Sequence, residues 1–177
     1  MKIRHFLALV SVFCFILSGC GYTTRSIVSG GAKSIYVENF VNKIDITTEV
    51  TDKRMYIAYK SGMEIDITRD VIDQFILDGN LRIMTPEKAD LVLKGELVEF
   101  RKEPLRYDSN DNILDYRIKV SVNIKLTDTR DDKLIWEEKR FNGESVYRIN
   151  AISEDRAVQA AEEDLAKRIV ELAVEGW

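Results

Sequence analysis

The segment from Ile113 to Leu126 alternates apolar and polar side chains at every position from Leu114 onward. Because successive side chains of a β-strand point to opposite faces of a sheet, this period of two predicts a long strand with one face in a core and the other in water. A polar turn follows, and residues 133–146 are predicted to return as an antiparallel partner strand. The chain therefore has to build a sheet with one polar face, which is typical of antiparallel sheets.

Two amphipathic helices are also predicted. The first spans 63–78, where an apolar stripe from Met63 to Ile76 recurs at spacings of three and four, and Gly79 suits a left-handed C-terminal cap. The last helix begins after Ser153, whose side chain suits an N-cap. Its expected apolar stripe contains Val158, Ala161, Leu165, Ile169 and Leu172, and its expected solvent side contains Glu162, Glu163, Lys167, Arg168 and Glu171.

Shorter strands are predicted at 34–41, 81–84 and 89–100 from their β-branched and apolar content. Within the third of these, Gly95 indicates a bulge or a close backbone approach, and the apolar series changes face by Phe100. The predicted fold is a two-layer α+β sandwich. It has a mostly antiparallel or mixed sheet of about four strands, with two helices packed on one face.

Residues 1–19 have the three parts of a secretory signal peptide. A basic start at Lys2 and Arg4 precedes the apolar run 6–17, and small residues come directly before Cys20. The run of twelve residues is shorter than the roughly 20 that a transmembrane helix needs, so a membrane-spanning anchor is the weaker alternative.

The sequence Leu17-Ser18-Gly19-Cys20 is similar to the lipobox of bacterial lipoproteins. That similarity implies cleavage before Cys20 and lipid on its side chain and amine, which is enough to hold a protein on a membrane. Gly21, rather than Asp, stands at the position that commonly signals retention in the inner membrane. We therefore expect a periplasm-facing protein anchored in the outer membrane.

Loss of the signal segment also removes the side chains most used in catalysis. His5 is the single histidine, and Cys14 and Cys20 are the two cysteines, the second of them taken up by lipid. Ser-His-Asp and Cys-His catalysis, histidine or thiolate metal sites and disulfides are thereby excluded for the mature chain, and no cofactor is expected. Without Lys2 and Arg4 the basic residues fall from 26 to 24 against 30 acidic ones, a net charge of −6. An overall basic footprint for nucleic acid is absent.

We expect a lipidated tether over 20–33 and a single α+β domain over 34–177. Residues 42–60 have no clear period and predict a long connection, in which Tyr56 and Tyr59 are either functional or ordinary exposed aromatics. The cluster Asp108–Asn112 predicts a turn between two strands. A calcium site there is the weaker alternative, because the spacing of an EF-hand loop is missing.

The candidate ligand-binding residues are basic. Arg101, Lys102 and Arg106 lie at the end of one predicted strand, and alternation places Arg117 and Lys119, with Lys125, on the polar face of the next. These side chains could meet a phosphorylated or carboxylated ligand, although a plain solvated strand face is the alternative.

Neighbouring acidic residues offer weaker candidates. Glu137 and Glu138 point to opposite faces of a regular strand, and Glu162 and Glu163 are expected to be ordinary surface charge on a helix. A carboxylate-based hydrolase acting on envelope glycans would need two acidic groups about 5 to 10 Å apart in a cleft. Because neither acidic pair is expected to converge on a substrate in this way, no enzymatic activity is expected.

Several segments, taken in their order behind the lipobox, resemble the LptE family of lipopolysaccharide-assembly lipoproteins. They are Cys20-Gly21-Tyr22, Ile35-Tyr36-Val37-Glu38-Asn39-Phe40, Ala89-Asp90-Leu91-Val92-Leu93-Lys94-Gly95-Glu96-Leu97, Tyr116-Arg117-Ile118-Lys119-Val120-Ser121-Val122 and Leu134-Ile135-Trp136-Glu137. The likeness covers nearly all of the mature chain. It implies a non-enzymatic plug inside the outer-membrane β-barrel LptD that helps the barrel assemble and binds lipopolysaccharide. The family fold, a sheet with two helices on it, agrees with the pattern of this sequence.

The family's lipopolysaccharide-contacting residues do not align one by one with this chain, so the five basic candidates rest on charge placement. The alternative is a structural lipoprotein of another envelope assembly, with no enzymatic activity and no lipid ligand. Fold alone does not separate these functions.

Overall fold

The computed structural model describes residues 31–44 and 60–175. The signal peptide, Cys20, most of the tether, Tyr56 and Tyr59 lie outside the described residues.

The described chain contains six strands and two helices. They are β1 (Ser34–Val37), β2 (Val41–Asn42), α1 (Met63–Asp78), β3 (Arg82–Ile83), β4 (Leu91–Tyr107), β5 (Ile113–Asp128), β6 (Lys133–Arg148) and α2 (Glu154–Glu175). The strands form one mixed sheet in the order β3-β1-β4-β5-β6, and β2 also pairs with β4. The predicted α+β sandwich is confirmed, with six strands in place of about four.

The strand count differs partly because the predicted first strand is two strands. After β1 pairs in parallel with Leu91–Leu93, the chain leaves the sheet and β2 returns to pair with Glu96 and Leu97. Between them the Phe40 N–H donates to Thr68 Oγ1 of α1 over 2.9 Å, so this backbone group bonds to a helix side chain instead of a strand. The ring of Phe40 is buried in the core.

The long strands β4, β5 and β6 form an antiparallel meander. A register shift between Leu97 and Glu99 moves the apolar series of β4 to the other parity, which confirms the predicted change of face by Phe100. A Cβ on Gly95 would overlap the ring of Phe40, so the predicted close approach at this glycine is also confirmed.

Both helices pack on one face of the sheet: α2 lies over β5 and β6, and α1 lies beside α2 over β1 and β3. Ser153 caps α2 as predicted, since its Oγ accepts the Arg156 N–H over 3.3 Å. The C-terminal cap of α1 is likewise confirmed, because Gly79 has φ 74°. Ile76, expected in the buried stripe of α1, is instead 62% exposed. Among the described residues, no helix is long and apolar enough to cross a membrane.

Glu162 does not lie on the solvent side of α2. Its residue is only 5% exposed, because α1 packs beside α2 at this point and its Asp66 and Asp70 face the same cavity. The expectation of ordinary surface charge was wrong for Glu162 and right for the exposed Glu163.

Both edges of the sheet are protected. At one edge β3 is only two residues long. At the other edge α2 supplies bonds to the backbone of β6: Asp164 accepts the Glu144 N–H over 3.0 Å, and Arg168 donates to the Asn142 carbonyl. Such devices stop an exposed strand from pairing with another chain.

Candidate functional site

The face of the sheet opposite the two helices, here called the open face, carries four of the five candidate basic residues. Alternation in β5 and the pairing register place Arg117 and Lys119 there, with Arg101 of β4 and Glu144 of β6 directly opposite Lys119. No described helix or strand packs on this face. Six of its basic side chains are grouped in three clusters, each with one carboxylate shared by two of them.

The first cluster is built on Glu99, whose side chain is only 12% exposed. Its Oε1 lies 2.6 Å from Arg101 Nη2 and 3.2 Å from Arg140 Nη1, while its Oε2 accepts a hydrogen bond from Ser121 over 3.2 Å. A buried carboxylate with three donors is held in place and fully paired. The two guanidinium groups are therefore fixed beside one another.

A bulge in β6 brings Arg140 into this cluster. The register jumps from Glu138 opposite Ile124 to Phe141 opposite Val122, and Arg140 takes a left-handed backbone with φ 52°. Its N–H donates to Asn123 Oδ1 over 3.1 Å. Because bulges re-aim side chains, this one turns Arg140 toward Glu99 on the open face.

The second cluster is built on Asp115, which is 4% exposed. Arg106 donates to its Oδ2, and Arg148 Nε lies 3.5 Å from its Oδ1. The hydrogen bond from Arg106 is the main cause that lowers the pKa of Asp115, with Arg148 adding to it. The carboxylate stays charged at neutral pH and keeps both arginines in position.

The third cluster joins Glu144 to Arg117 and Lys119. Glu144 Oε2 lies 3.6 Å from Arg117 Nε, and Glu144 Oε1 lies 3.8 Å from Lys119 Nζ. These distances are longer than hydrogen bonds. Arg117 Nε is buried and has no hydrogen-bond acceptor among the described residues. This cluster thus has a donor whose acceptor is missing.

Taken together, the three clusters bring six basic side chains against three carboxylates. Glu103, 3.7 Å from Arg101, adds one further negative charge, so the net charge of the group remains positive. A guanidinium has five N–H donors in a planar fork, and one carboxylate occupies at most two or three of them. The remaining donors suit phosphate or carboxylate oxygens of a ligand lying on the open face.

Lys102 is separated from the other four candidates. It pairs with Ile118 in the register and so points to the helix side of the sheet. There its ammonium is bonded to Glu154 of α2 and lies 4.5 Å from the centre of the Tyr116 ring. Burial lowers the pKa of Lys102, but bonding to Glu154 and Tyr147 outweighs it, and the pKa is raised overall. The ion pair ties β4 to the start of α2.

Replacing Lys102 by methionine tests this role. The apolar stem is kept while the charge is lost, so we expect the free energy of unfolding to fall by about 1 to 2 kcal/mol. Urea unfolding measures the change. Lys125→Met, at an exposed position of β5, is the matched control and should stay within about 0.5 kcal/mol of the parent. Equal effects of the two changes would contradict the bridging role of Lys102.

The acidic turn 108–112 has a structural explanation. Asp108 Oδ1 accepts the N–H groups of Asn110 over 2.8 Å and Asn112 over 2.9 Å, and Asp111 has φ 62°. The carboxylate thus closes the turn between β4 and β5. Within the ranges that the structure describes, no group of three or more Asp, Glu, His or Cys residues is arranged to hold a metal ion.

Sequence reasoning missed Arg140 and Arg148 of the open face. Arg148 lies two residues beyond the predicted end of the partner strand at 146, and extending that strand would have placed it at the same parity as Glu144 and Val146. Arg140 carries no sequence signal, because its place depends on a bulge that no glycine or proline marks.

The fold and the open face define a class of protein: an α+β domain with one face of its sheet covered by two helices and a broad charged surface on the other. The sequence model of the LptE family, described as lipopolysaccharide-assembly, matches residues 32–175. The chain belongs to this family of lipopolysaccharide-assembly lipoproteins, which is a non-enzymatic family. The membership confirms the resemblance drawn from the ordered sequence segments.

Solved structures with the same fold include a hypothetical protein of Chlamydia trachomatis, with 11% identity, a TM-score of 0.51, and coverage of 78% of this chain and 93% of that one. A protein of Xanthomonas campestris has 11% identity, a TM-score of 0.51, and coverage of 86% and 90%. The rare lipoprotein B of Shewanella oneidensis has 14% identity, a TM-score of 0.45, and coverage of 77% and 91%. A search of curated proteins finds no match.

Proposed function

We propose that this protein is an outer-membrane subunit of the lipopolysaccharide translocon that binds lipopolysaccharide on its open face and occupies the lumen of an LptD-type β-barrel. The observation that carries the proposal is the set of three clusters, each with two basic side chains on one carboxylate. Lipid A presents phosphates, and guanidinium groups are the side chains best suited to bind them. Family membership supports a role in lipopolysaccharide assembly.

The surroundings of the clusters also suit an amphiphile. Val146 lies opposite Arg117 on the open face and is 53% exposed, and Tyr107 near Arg106 is 55% exposed. A ligand with anionic phosphates and acyl chains would place its charges on the clusters and part of its hydrocarbon on these side chains. A free inorganic anion would gain nothing from the apolar contacts.

The proposed binding residues are therefore Arg101, Arg106, Arg117 and Lys119 from the sequence and Arg140 and Arg148 from the structure. Lys102 would contribute through the position of β4, since its ammonium is bonded to Glu154. Lipidation of Cys20 would tether the domain to the periplasmic side of the outer membrane. In a barrel, the polar open face would lie against a polar lumen.

Charge reversal of Arg117 together with Lys119 tests the ligand. Both side chains flank Glu144, so two new glutamates add repulsion without opening the apolar core. We expect lipopolysaccharide binding by the full-length protein in detergent to weaken by roughly tenfold or more, because buried or clustered charge pairs contribute strongly to affinity. Displacement of fluorescently labelled lipopolysaccharide measures it.

The matched control reverses Lys94 and Lys125, which face each other at the other end of the same face. This control has the same change in net charge and should retain binding within about twofold, since exposed distant charges are largely screened. If both double variants weaken binding equally, lipopolysaccharide is attracted by the net charge of the protein, and the three clusters are not the binding site. Unchanged binding in the first variant would remove Arg117 and Lys119 from the proposal.

Affinity purification of the tagged full-length protein from detergent-solubilised membranes tests the partner. We expect a large outer-membrane β-barrel of the LptD type to copurify in equal amount, because a plug is held by a continuous interface. A chain with the tag but with Cys20→Ala controls for partners that follow the lipid anchor alone. Reproducible recovery of a different envelope partner would favour the structural-lipoprotein alternative instead.

A further inference from the structure

A second polar site lies between the two helices, on the opposite side of the sheet from the open face. A cavity of about 410 Å³ opens between the N-terminal halves of α1 and α2. Its acidic residues include Asp66 and Asp70 of α1 and Glu162 of α2, and its apolar walls are Met63 and Val158. Nothing in the proposed lipopolysaccharide site uses these residues.

Glu162 is the unusual member of this site. It is only 5% exposed and lines the cavity, yet its Oε1 is buried without a hydrogen-bond partner among the described residues. Burial, with the nearby charges of Asp66 and Asp70, raises its pKa to about 7. Buried polar atoms without a partner are rare in folded proteins, and they commonly indicate a missing ligand, ion or water.

The three cations that line the cavity are Lys60, Arg69 and Arg156, and each pairs with a side chain other than Glu162 or Asp70. Arg69 Nη2 lies 2.5 Å from Asp66, and Lys60 Nζ lies 3.9 Å from the exposed Asp155. Arg156 donates to the amide oxygen of Gln159 over 2.9 Å.

Asp70, in contrast, has neither an ion pair nor a side-chain hydrogen bond within the described ranges, and burial together with Glu163, Asp66 and Asp73 raises its pKa despite Arg69. Lys60 and Arg69 attract Glu162, and Arg69 attracts Asp70, but within the described residues no cation lies within ion-pair distance of either carboxylate.

We propose that this cavity binds an alkylammonium group, with the ammonium between Glu162 and Asp70 and its carbon stem against Met63 and Val158. An ammonium carries three donors and no acceptor, which suits two carboxylates that lack donors. The described residues offer no group of three Asp, Glu, His or Cys side chains for a metal ion. The apolar walls favour a cation with a hydrocarbon stem over a bare inorganic ion.

Two sources of this chemistry are a free diamine and the lysine side chain of another protein. Putrescine serves as the probe for the first and N-acetyl-lysine N-methylamide for the second. Each is titrated into the full-length protein in detergent micelles by isothermal calorimetry, while the Met63 methyl signal is followed by NMR. Saturable binding of both probes would identify a general ammonium site, and binding of the lysine amide alone would point to a protein partner.

The expected result has three parts. At least one amine binds saturably and shifts the Met63 methyl signal. Glu162→Gln and Asp70→Asn each weaken the binding by roughly tenfold or more, because each removes one side of a charged pair. Lowering the pH from about 8 to about 6 weakens it by roughly tenfold, because the Glu162 carboxyl must release its proton to pair with the cation.

Glu171→Gln, which removes an exposed carboxylate further along α2, is the matched control and should leave the affinity unchanged. Glu162→Gln is nearly isosteric, and circular dichroism confirms that each variant is folded. Three results would each overturn the proposal: no saturable binding of either amine, binding that Glu162→Gln leaves intact, or displacement of the amine by an equal concentration of Mg²⁺.

Discussion

Replacing Gly143 by alanine will lower the free energy of unfolding by about 3 kcal/mol, at the upper end of the usual cost of overpacking. Gly143 lies in β6 opposite Val120, on the face covered by α2. A Cβ added there would lie 2.6 Å from Leu165 Cα and closer still to the backbone of Ala161. These are backbone atoms of a long helix, so relief requires a shift of the whole helix on the sheet. Urea unfolding of the full-length protein measures the loss.

The comparison with Gly95 makes this test specific. A Cβ on Gly95 would overlap only the side chain of Phe40. Gly95→Ala should therefore be partly rescued by Phe40→Leu, which removes the ring, and a double-mutant cycle measures the coupling. No single side-chain change should rescue Gly143→Ala. A stability within about 0.5 kcal/mol of the parent for Gly143→Ala would show that α2 does not approach the strand this closely.

Replacing Glu162 by glutamine will have the opposite effect and will stabilise the protein at neutral and alkaline pH. Burial raises the pKa of this carboxyl from 4.5 to about 7 in the folded chain. Below about pH 4.5 the carboxyl is protonated in both the folded and unfolded states, so it costs nothing. Between that pH and about 7 the unfolded chain ionises first, and stability is lost as the pH rises. Glutamine cannot ionise and avoids this loss.

The expected gain of Glu162→Gln is close to zero at about pH 4 and on the order of 3 kcal/mol at about pH 8, since each pKa unit corresponds to about 1.4 kcal/mol. Urea unfolding at a series of pH values measures the difference between the two proteins. Glu171→Gln, which removes an exposed carboxylate of the same helix, should show a flat difference. A gain that does not depend on pH would mean that the Glu162 carboxyl titrates normally.

Much of this fold can be predicted from the regular spacing of apolar residues along the sequence. The alternation in β5 predicted its faces, and the three- and four-residue spacing predicted α1 with the bounds that the structure has. The change of face before Phe100 was visible because a single extra residue reverses the parity of every side chain after it. The division of the first strand was not visible, because it depends on Thr68, a side chain of a distant helix that bonds to the Phe40 backbone.

Glu162 is a residue for which the helical spacing and the residue type predict opposite environments. It lies four residues after Val158 and three before Leu165, so its spacing already placed it within the apolar stripe of α2. Its charge points to the opposite conclusion, because Glu is almost never fully buried. The position of a residue in the helical repeat determines the direction of its side chain. For Glu162, this position predicted burial correctly and the residue type did not. For the open face, parity located Arg117 and Lys119, whereas the bulge that positions Arg140 requires the structure.

The protected edges of the sheet have a consequence for how this protein can contact other chains. A free sheet edge can form backbone hydrogen bonds with an extended segment of another chain, whatever the side chains of that segment. Here Asp164 and Arg168 occupy backbone groups in the middle of β6, and β3 offers only two residues at the far side. Any partner that docks on this sheet would therefore have to contact mainly the side chains of its broad surface, and the chemistry of those side chains would select the partner.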